Sequence, residues 1–175
     1  GVIAEDLAPK CKAFNMTVYG VSGTKRDVPG FDRMFGRDEL IKAASLSDYL
    51  LLLVPYSAET DKLVDADVLA AMKPDAYIVN LARGGVLDED ALMDVLRAGK
   101  IAGAGLDVFA ERPLPSDHPF WSMDNVLITP QVGGMSATYQ DQMVPILEQN
   151  IRHFLRREFD KMVNVVDHRL LDAPA

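Results

Sequence analysis

The chain is predicted to be an α/β protein built on a doubly wound parallel sheet. Strand-length and helix-length segments alternate along it, the strand-length segments are apolar almost throughout, and the helix candidates carry start and stop signals. Apolar strands separated by helices suit a parallel sheet covered on both faces, because the crossover helices bury each face in turn. In order, "MTVYGV" (16–21) is short and β-branched, and "GRDELIKAASLS" (36–47) reads as a short helix. "DYLLLLVP" (48–55) has buried-strand length, "DADVLAAM" (65–72) is helical and "AYIVNL" (76–81) is a strand. "DEDALMDVLRAG" (88–99) has acids in its first turn and Gly99 at its end, which mark a helix start and stop. "IAGAGLDVF" (101–109) and "NVLIT" (125–129) are the remaining strands. "SATYQDQMVPILEQNIRHFLRRE" (136–158) is a long amphipathic helix with an expected kink at Pro145. The Pro-rich stretch 110–124 is the one long irregular segment, a feature more often functional than idle. In such folds ligands bind beyond the carboxyl ends of the strands. That points to Val54-Pro55, Leu81 to Gly84, Asp107 to Arg112 and Thr129 to Gly134.

Composition narrows the partners. The 175 residues are 49% hydrophobic and 25% charged, enough for one sizeable core, and no apolar run reaches membrane-spanning length. Eighteen Lys and Arg against 26 Asp and Glu give a net charge of −8. An acidic chain without a basic cluster argues against nucleic acid and anionic membrane. The single Cys11 leaves no internal disulfide and no Cys-based zinc site, no metal site is expected, and a reducing, cytoplasmic location follows. The first residues lack the basic flank and apolar core of a signal peptide.

"GVIAEDLAPKCKAFNMTVYGV" starts with Gly1, places Ala4 three residues on, forms a helix and enters a strand. Gly1 and Ala4 suit the second and third positions of a Rossmann G-x-G-x-x-G/A fingerprint. There the backbone of Gly1, Val2 and Ile3 would meet a pyrophosphate at a helix N-terminus; Pro9 within the helix is an inconsistency. The acid that normally holds the ribose 2′-hydroxyl of NAD is missing from "GVSGTKRD". Ser22, Lys25 and Arg26 stand there instead, with Thr24, and a hydroxyl beside two cations favours NADP over NAD. In the strand order of such domains the first strand is central. This sequence starts after it, so residues before Gly1 are expected to supply that strand. The domain reading is residues 1–157 as a dinucleotide-binding domain lacking its first strand. Residues 158–175 return toward a substrate domain mostly outside this sequence.

"IVNLARGGVLDEDALMDVLRAGKIAGAGLDVFAERPLP" closely resembles the D-isomer-specific 2-hydroxyacid dehydrogenase family. The family's N-x-A-R-G-x-x-x-D-E-x-A-L is matched by Asn80 through Leu92, and its G-x-x-x-D-V-F-x-x-x-P-L-P by Gly103 through Pro115. "LLLVPYSAETDKLV" is similar to the segment after the third strand, with Pro55 and Thr60 in place. The resemblance implies reversible hydride transfer between NAD(P)H and a small 2-keto acid, in a homodimer. It implies a cofactor site that includes Val54, Pro55, Thr60, Ala82, Arg83, Asp107 and Gly133. Arg83 matches the catalytic arginine, whose planar fork can grip a substrate carboxylate and polarise the keto oxygen. Asp107 matches the acid at the nicotinamide carboxamide.

The chain departs from the family at its acid–base pair. The family uses histidine in T-P-H-x-G-G, assisted by a glutamate before the proline of D-V-F-x-x-E-P; here those positions hold Gln131 and Arg112, with Glu111 one residue early. A glutamine amide can hydrogen-bond a developing alkoxide but cannot protonate it. General acid catalysis contributes about 10²–10⁴-fold, so its loss predicts a slow enzyme. Arg112 either favours a dicarboxylate or faces water. Of the histidines, His118 follows Arg112 on the long loop, His153 belongs to the last helix and His168 to the tail; packing is the default role for each. Phe120 and Trp121 are expected to anchor the loop. Two readings stay open: an atypical NAD(P)-dependent dehydrogenase with Arg83 and Gln131 at its centre, or a weak or inactive dinucleotide-binding sensor of the same fold.

Overall fold

The computed structural model describes residues 1–24 and 26–165. They form two units, Gly1–Gln131 and one that starts at Val132. The first unit begins with helix α1 (Val2–Ala13), which runs through Pro9, followed by strands β1 (Tyr19–Ser22) and β2 (Arg33–Gly36). A 3-10 turn at Arg37–Glu39 leads into α2 (Leu40–Leu46) and β3 (Tyr49–Leu52). Then come α3 (Ala66–Ala71), β4 (Tyr77–Asn80), α4 (Glu89–Arg97), β5 (Gly103–Leu106) and β6 (Val126–Ile128). All pairings are parallel, as expected for strands joined by crossover helices.

The strands do not make one sheet. β1 and β2 pair with each other, and β3-β4-β5-β6 form a separate four-stranded sheet. Between β1 and β3 runs a cleft of about 870 Å³, lined by Ile3 and Leu7 of α1, Gly20 and Val21 of β1, and Leu51 and Leu53. Among the described residues no strand bridges it.

The register explains the core. Leu50, Ile78 and Ala104 lie in one row and Leu52, Asn80 and Leu106 in another. All six are buried, together with Leu40 and Ala44 of α2, Val68 and Leu69 of α3, and Leu92 and Leu96 of α4. The opposite row, Leu51, Val79, Gly105 and Leu127, is half-buried to exposed, so within this unit one face is packed far more completely than the other. β2 is the strand that periodicity passes over: "RMFG" has no β-branched residue, and Arg33 lies over the Phe35 ring at 4.3 Å. The short α3 depends on its cap, because so few residues contribute little intrinsic helix stability. Asp65 Oδ1 accepts from the N–H groups of Asp67 (3.1 Å) and Val68 (3.0 Å). Asp65→Ala is expected to cost about 1 kcal/mol, seen as a fall of about 2–4 °C in thermal midpoint.

The second unit contains α5 (Tyr139–Leu155), a single helix that includes Pro145, and a 3-10 turn at Phe159–Lys161. Asn150 clasps the Val163 backbone, donating to its carbonyl at 2.8 Å and accepting from its N–H at 2.9 Å. No helix among the described residues is long and apolar enough to cross a membrane.

Candidate functional site

Three neighbouring strands, β4, β5 and β6, end at the same edge of the larger sheet, and the chemistry-bearing residues follow their carboxyl ends. At the end of β4 the fully buried Asn80 shapes the next turn. Its Nδ2 donates to the Arg83 carbonyl (3.1 Å), and its Oδ1 accepts from the Ala82 N–H (3.0 Å). Ala82 is thereby buried while Arg83 is extended and exposed, one guanidinium nitrogen (Nη1) donating to the Ala82 carbonyl at 2.7 Å. Gly84 then packs backbone to backbone on the segment after β5. A Cβ at Gly84 would stand 1.9 Å from the Phe109 carbonyl carbon and 2.1 Å from the Ala110 nitrogen. Glu89, in the first turn of α4, adds a second tie by accepting the Ala110 N–H at 2.8 Å. Burial pushes the Glu89 carboxyl above its ordinary value, and the Ala110 hydrogen bond pulls the other way.

Asp107 is buried just past β5, and the Thr129 hydroxyl donates to it at 2.5 Å, which joins the ends of β5 and β6. Two residues on, Gln131 has φ of 56°, the left-handed region that few non-glycine residues adopt. Its Oε1 accepts from Arg112 Nη1 at 3.4 Å. A guanidinium carries only donors, so this contact presents the amide oxygen to Arg112 and leaves the Gln131 NH2 as the free-facing donor end. Arg112 and Gln131, 19 apart in sequence, therefore touch. Arg112 is exposed, and its one described side-chain hydrogen bond is to Gln131.

The cofactor candidates fall at three places. At α1, Gly1 is the helix N-cap, and Val2 and Ile3 of the first turn are exposed. At the end of β1, the Ser22 hydroxyl accepts from the Thr24 N–H (3.4 Å), and Arg26 pairs with Glu5 of α1 at 3.1 Å. Lys25 lies outside the described residues. After β3, Val54 is half-buried and Pro55 exposed, while the buried Thr60 donates its hydroxyl to the Pro55 carbonyl (2.8 Å) and accepts from the Ser57 N–H (2.8 Å). Thr60 thus shapes the turn that carries Pro55. Gly133 belongs to the second unit. The exposed first turn of α1 and the guanidinium groups near the end of β1 suit a dinucleotide.

The two described histidines are engaged elsewhere. His118 Nδ1 accepts from the Phe120 N–H (3.3 Å) and its ring packs on Phe120 at 4.7 Å, while His153 meets Glu158 at 2.8 Å. His168 lies outside the described residues. Phe120 is buried, and Trp121 anchors the loop through its indole N–H on the Pro115 carbonyl (2.8 Å). The sequence reading missed two participants. Glu89 looked like a helix-start acid and nothing more. Arg37 follows β2, the strand that periodicity passes over, and a Gly23 Cβ would lie 3.1 Å from its guanidinium.

Comparison with known proteins identifies the family. Residues 1–133 match the model of the D-isomer specific 2-hydroxyacid dehydrogenase NAD binding domain. A glyoxylate reductase from Pyrococcus furiosus is 36% identical over 158 residues, which are 90% of this chain and 47% of that protein. A D-isomer specific 2-hydroxyacid dehydrogenase from Xanthobacter autotrophicus Py2, solved with NADPH and MES, superposes with a TM-score of 0.84 at 35% identity, covering 93% of this chain and 65% of its own. An NADPH-dependent glyoxylate/hydroxypyruvate reductase from Sinorhizobium meliloti, solved with NADP and sulfate, gives 0.86 at 29% identity, covering 97% and 54%. The chain spans about half the length of the curated relatives it matches. With the family model matched over three-quarters of the chain and the Arg83 turn standing at the ends of a parallel sheet, the chain belongs to the D-isomer specific 2-hydroxyacid dehydrogenase family, as its NAD-binding domain.

Proposed function

We propose that the protein is an NAD(P)-dependent 2-hydroxyacid dehydrogenase acting on a small 2-keto acid, with NADP the favoured cofactor and Gln131 in place of an acid. The bound nicotinamide would supply the hydride. Arg83 would hold the substrate carboxylate, and the Gln131 amide would donate to the keto oxygen as negative charge grows there. The observation that carries this reading is the Arg112–Gln131 hydrogen bond. It aims the donor end of the amide away from Arg112, and the guanidinium charge beside it strengthens its hold on an oxyanion. The proton itself would come from water. The NADP preference is supported by the absence of an acid at the end of β1, and by the two relatives solved with NADPH and NADP. We also place an additional parallel strand in the cleft between β1 and β3, because both bordering strands present unpaired edges to it. With a separate substrate domain and a homodimer, this completes the proposed organisation.

The test is oxidation of NADPH and NADH by the full-length protein with glyoxylate, hydroxypyruvate and oxaloacetate. The unmodified protein is expected to turn over slowly. Gln131→His alone should gain little, because Arg112 beside the ring disfavours the imidazolium that must donate. Gln131→His with Arg112→Glu should restore a carboxylate-supported imidazolium and raise kcat by about 10²-fold or more. Absence of turnover in all three proteins would favour the alternative, a dinucleotide-binding sensor.

A further inference from the structure

We propose that Arg37 is the specificity-determining residue for a 2′-phosphorylated dinucleotide; this rests on the NADP reading and assigns it to a side chain. Gly23 directly follows β1, and the place where its Cβ would stand lies 3.1 Å from Arg37 Nη2 and 3.5 Å from the guanidinium carbon. The other end of the same fork, Nη1, reaches Glu59 on the loop after β3, at 3.2 Å from Oε2 and 3.4 Å from the carbonyl oxygen. Arg37 therefore spans the mouth of the cleft, from the strand end where a ribose 2′ substituent would come to the loop that carries Pro55.

Arg26, the other described cation near that strand end, pairs with Glu5 on the helix whose N-terminus would face the pyrophosphate, and both of those side chains are exposed. Arg37 is the more sheltered of the two guanidinium groups, its side chain 34% exposed against 61% for Arg26, and its ion-pair partner among the described residues is Glu59, whose side chain is 82% exposed. An exposed carboxylate is a weak partner. A phosphate dianion offers the guanidinium a bidentate, doubly charged one. Glu59 acts as a place-holder that keeps the fork oriented and yields to phosphate. The absence of a side chain at Gly23 is what lets the guanidinium approach the strand end.

The test is direct binding of NADP+, NAD+ and the probe 2′,5′-ADP to the full-length protein by calorimetry, without substrate, with thermal melts of each variant. Arg37→Ala is expected to weaken NADP+ and 2′,5′-ADP by about 10- to 100-fold, the loss typical of a hydrogen bond to a charged group. NAD+ should change by less than about 2-fold, since it lacks the group that Arg37 grips. Arg37→Lys should fall between, because it keeps the charge and loses the fork. Glu59→Gln should tighten NADP+ by about 2- to 5-fold, in line with the small strength of an exposed pair; it also serves if Arg37→Ala melts early. Equal weakening of NADP+ and NAD+ would overturn the assignment in favour of a structural role. Undiminished NADP+ binding in Arg37→Ala would overturn it and leave the NADP reading standing. Tighter binding of NAD+ than NADP+ by the unmodified protein would overturn both.

Discussion

Gly84→Ala is expected to be the most damaging single-methyl change in the chain. The added Cβ would meet the Phe109 carbonyl carbon at 1.9 Å, the Ala110 nitrogen at 2.1 Å and the Phe109 oxygen at 2.2 Å. These are backbone atoms in a buried turn and cannot swing aside as a side-chain end would. The segments must separate, breaking the Glu89–Ala110 hydrogen bond between them. Overpacking of this kind costs about 1–3 kcal/mol and occasionally more, and the upper end applies here. The thermal midpoint should fall by about 6–12 °C. Separation also moves the Asp107–Arg112 stretch away from Arg83, and a misplacement near 1 Å can lower kcat/KM by about 10²-fold. Gly105→Ala is the matched control. Its Cβ would touch only Val79, at 3.7 Å, an ordinary contact, and the midpoint should hold or rise slightly.

Asn80→Asp should be nearly as severe, with a pH signature of its own. Asn80 is fully buried and uses both ends of its amide, donating to the Arg83 carbonyl and accepting from the Ala82 N–H. Aspartate keeps the acceptor and replaces the donor with a second oxygen that faces a carbonyl. An unsatisfied buried group costs about 1–3 kcal/mol, and more when charged. The protonated acid can again donate to Arg83, so burial and the facing carbonyl will raise its folded pKa above the unfolded value near 3.9. A group raised in this way stabilises the fold fully below its unfolded pKa, and that stability is lost as pH rises through the folded pKa. The variant should therefore approach the parent protein in urea denaturation near pH 4 and fall behind it by about 3 kcal/mol near pH 7.5. A pH-independent deficit would mean that the Arg83 turn does not depend on the Asn80 donor.

The parts that the sequence made legible share a local cause. Asp65 and Asp88 cap helices that begin within three residues of them, and Gly99 ends α4 two residues past its last helical position. The apolar runs at 48–55 and 76–81 contain β3 and β4 because continuous burial leaves a continuous apolar string. The parts that were not legible are contacts between distant segments. Nothing near "RMFG" announces a strand, since β2 is defined by its pairing with β1 and by Arg33 over Phe35. The link of Glu89 to Ala110 spans 21 residues and that of Arg112 to Gln131 spans 19. Residue types mark such partners only as polar, and the fold decides whom they meet. His118 illustrates the reverse: a titratable residue on a long loop near the site turns out to cap the 3-10 turn at Pro119–Ser122.

The divided sheet also bears on how the chain folds. β3, β4, β5 and β6 stand side by side in chain order, so each strand meets its predecessor across a single helix or loop. Closure entropy rises slowly with loop length, and slow folding comes from pairings that must be made between distant segments before anything rewards them. The four-stranded half needs none, and it can grow outward strand by strand around α3 and α4. β1 and β2 form their own small ladder. Among the described residues the two ladders share no backbone hydrogen bond across the cleft, so the strand proposed for the cleft is what would join them into one cooperative sheet.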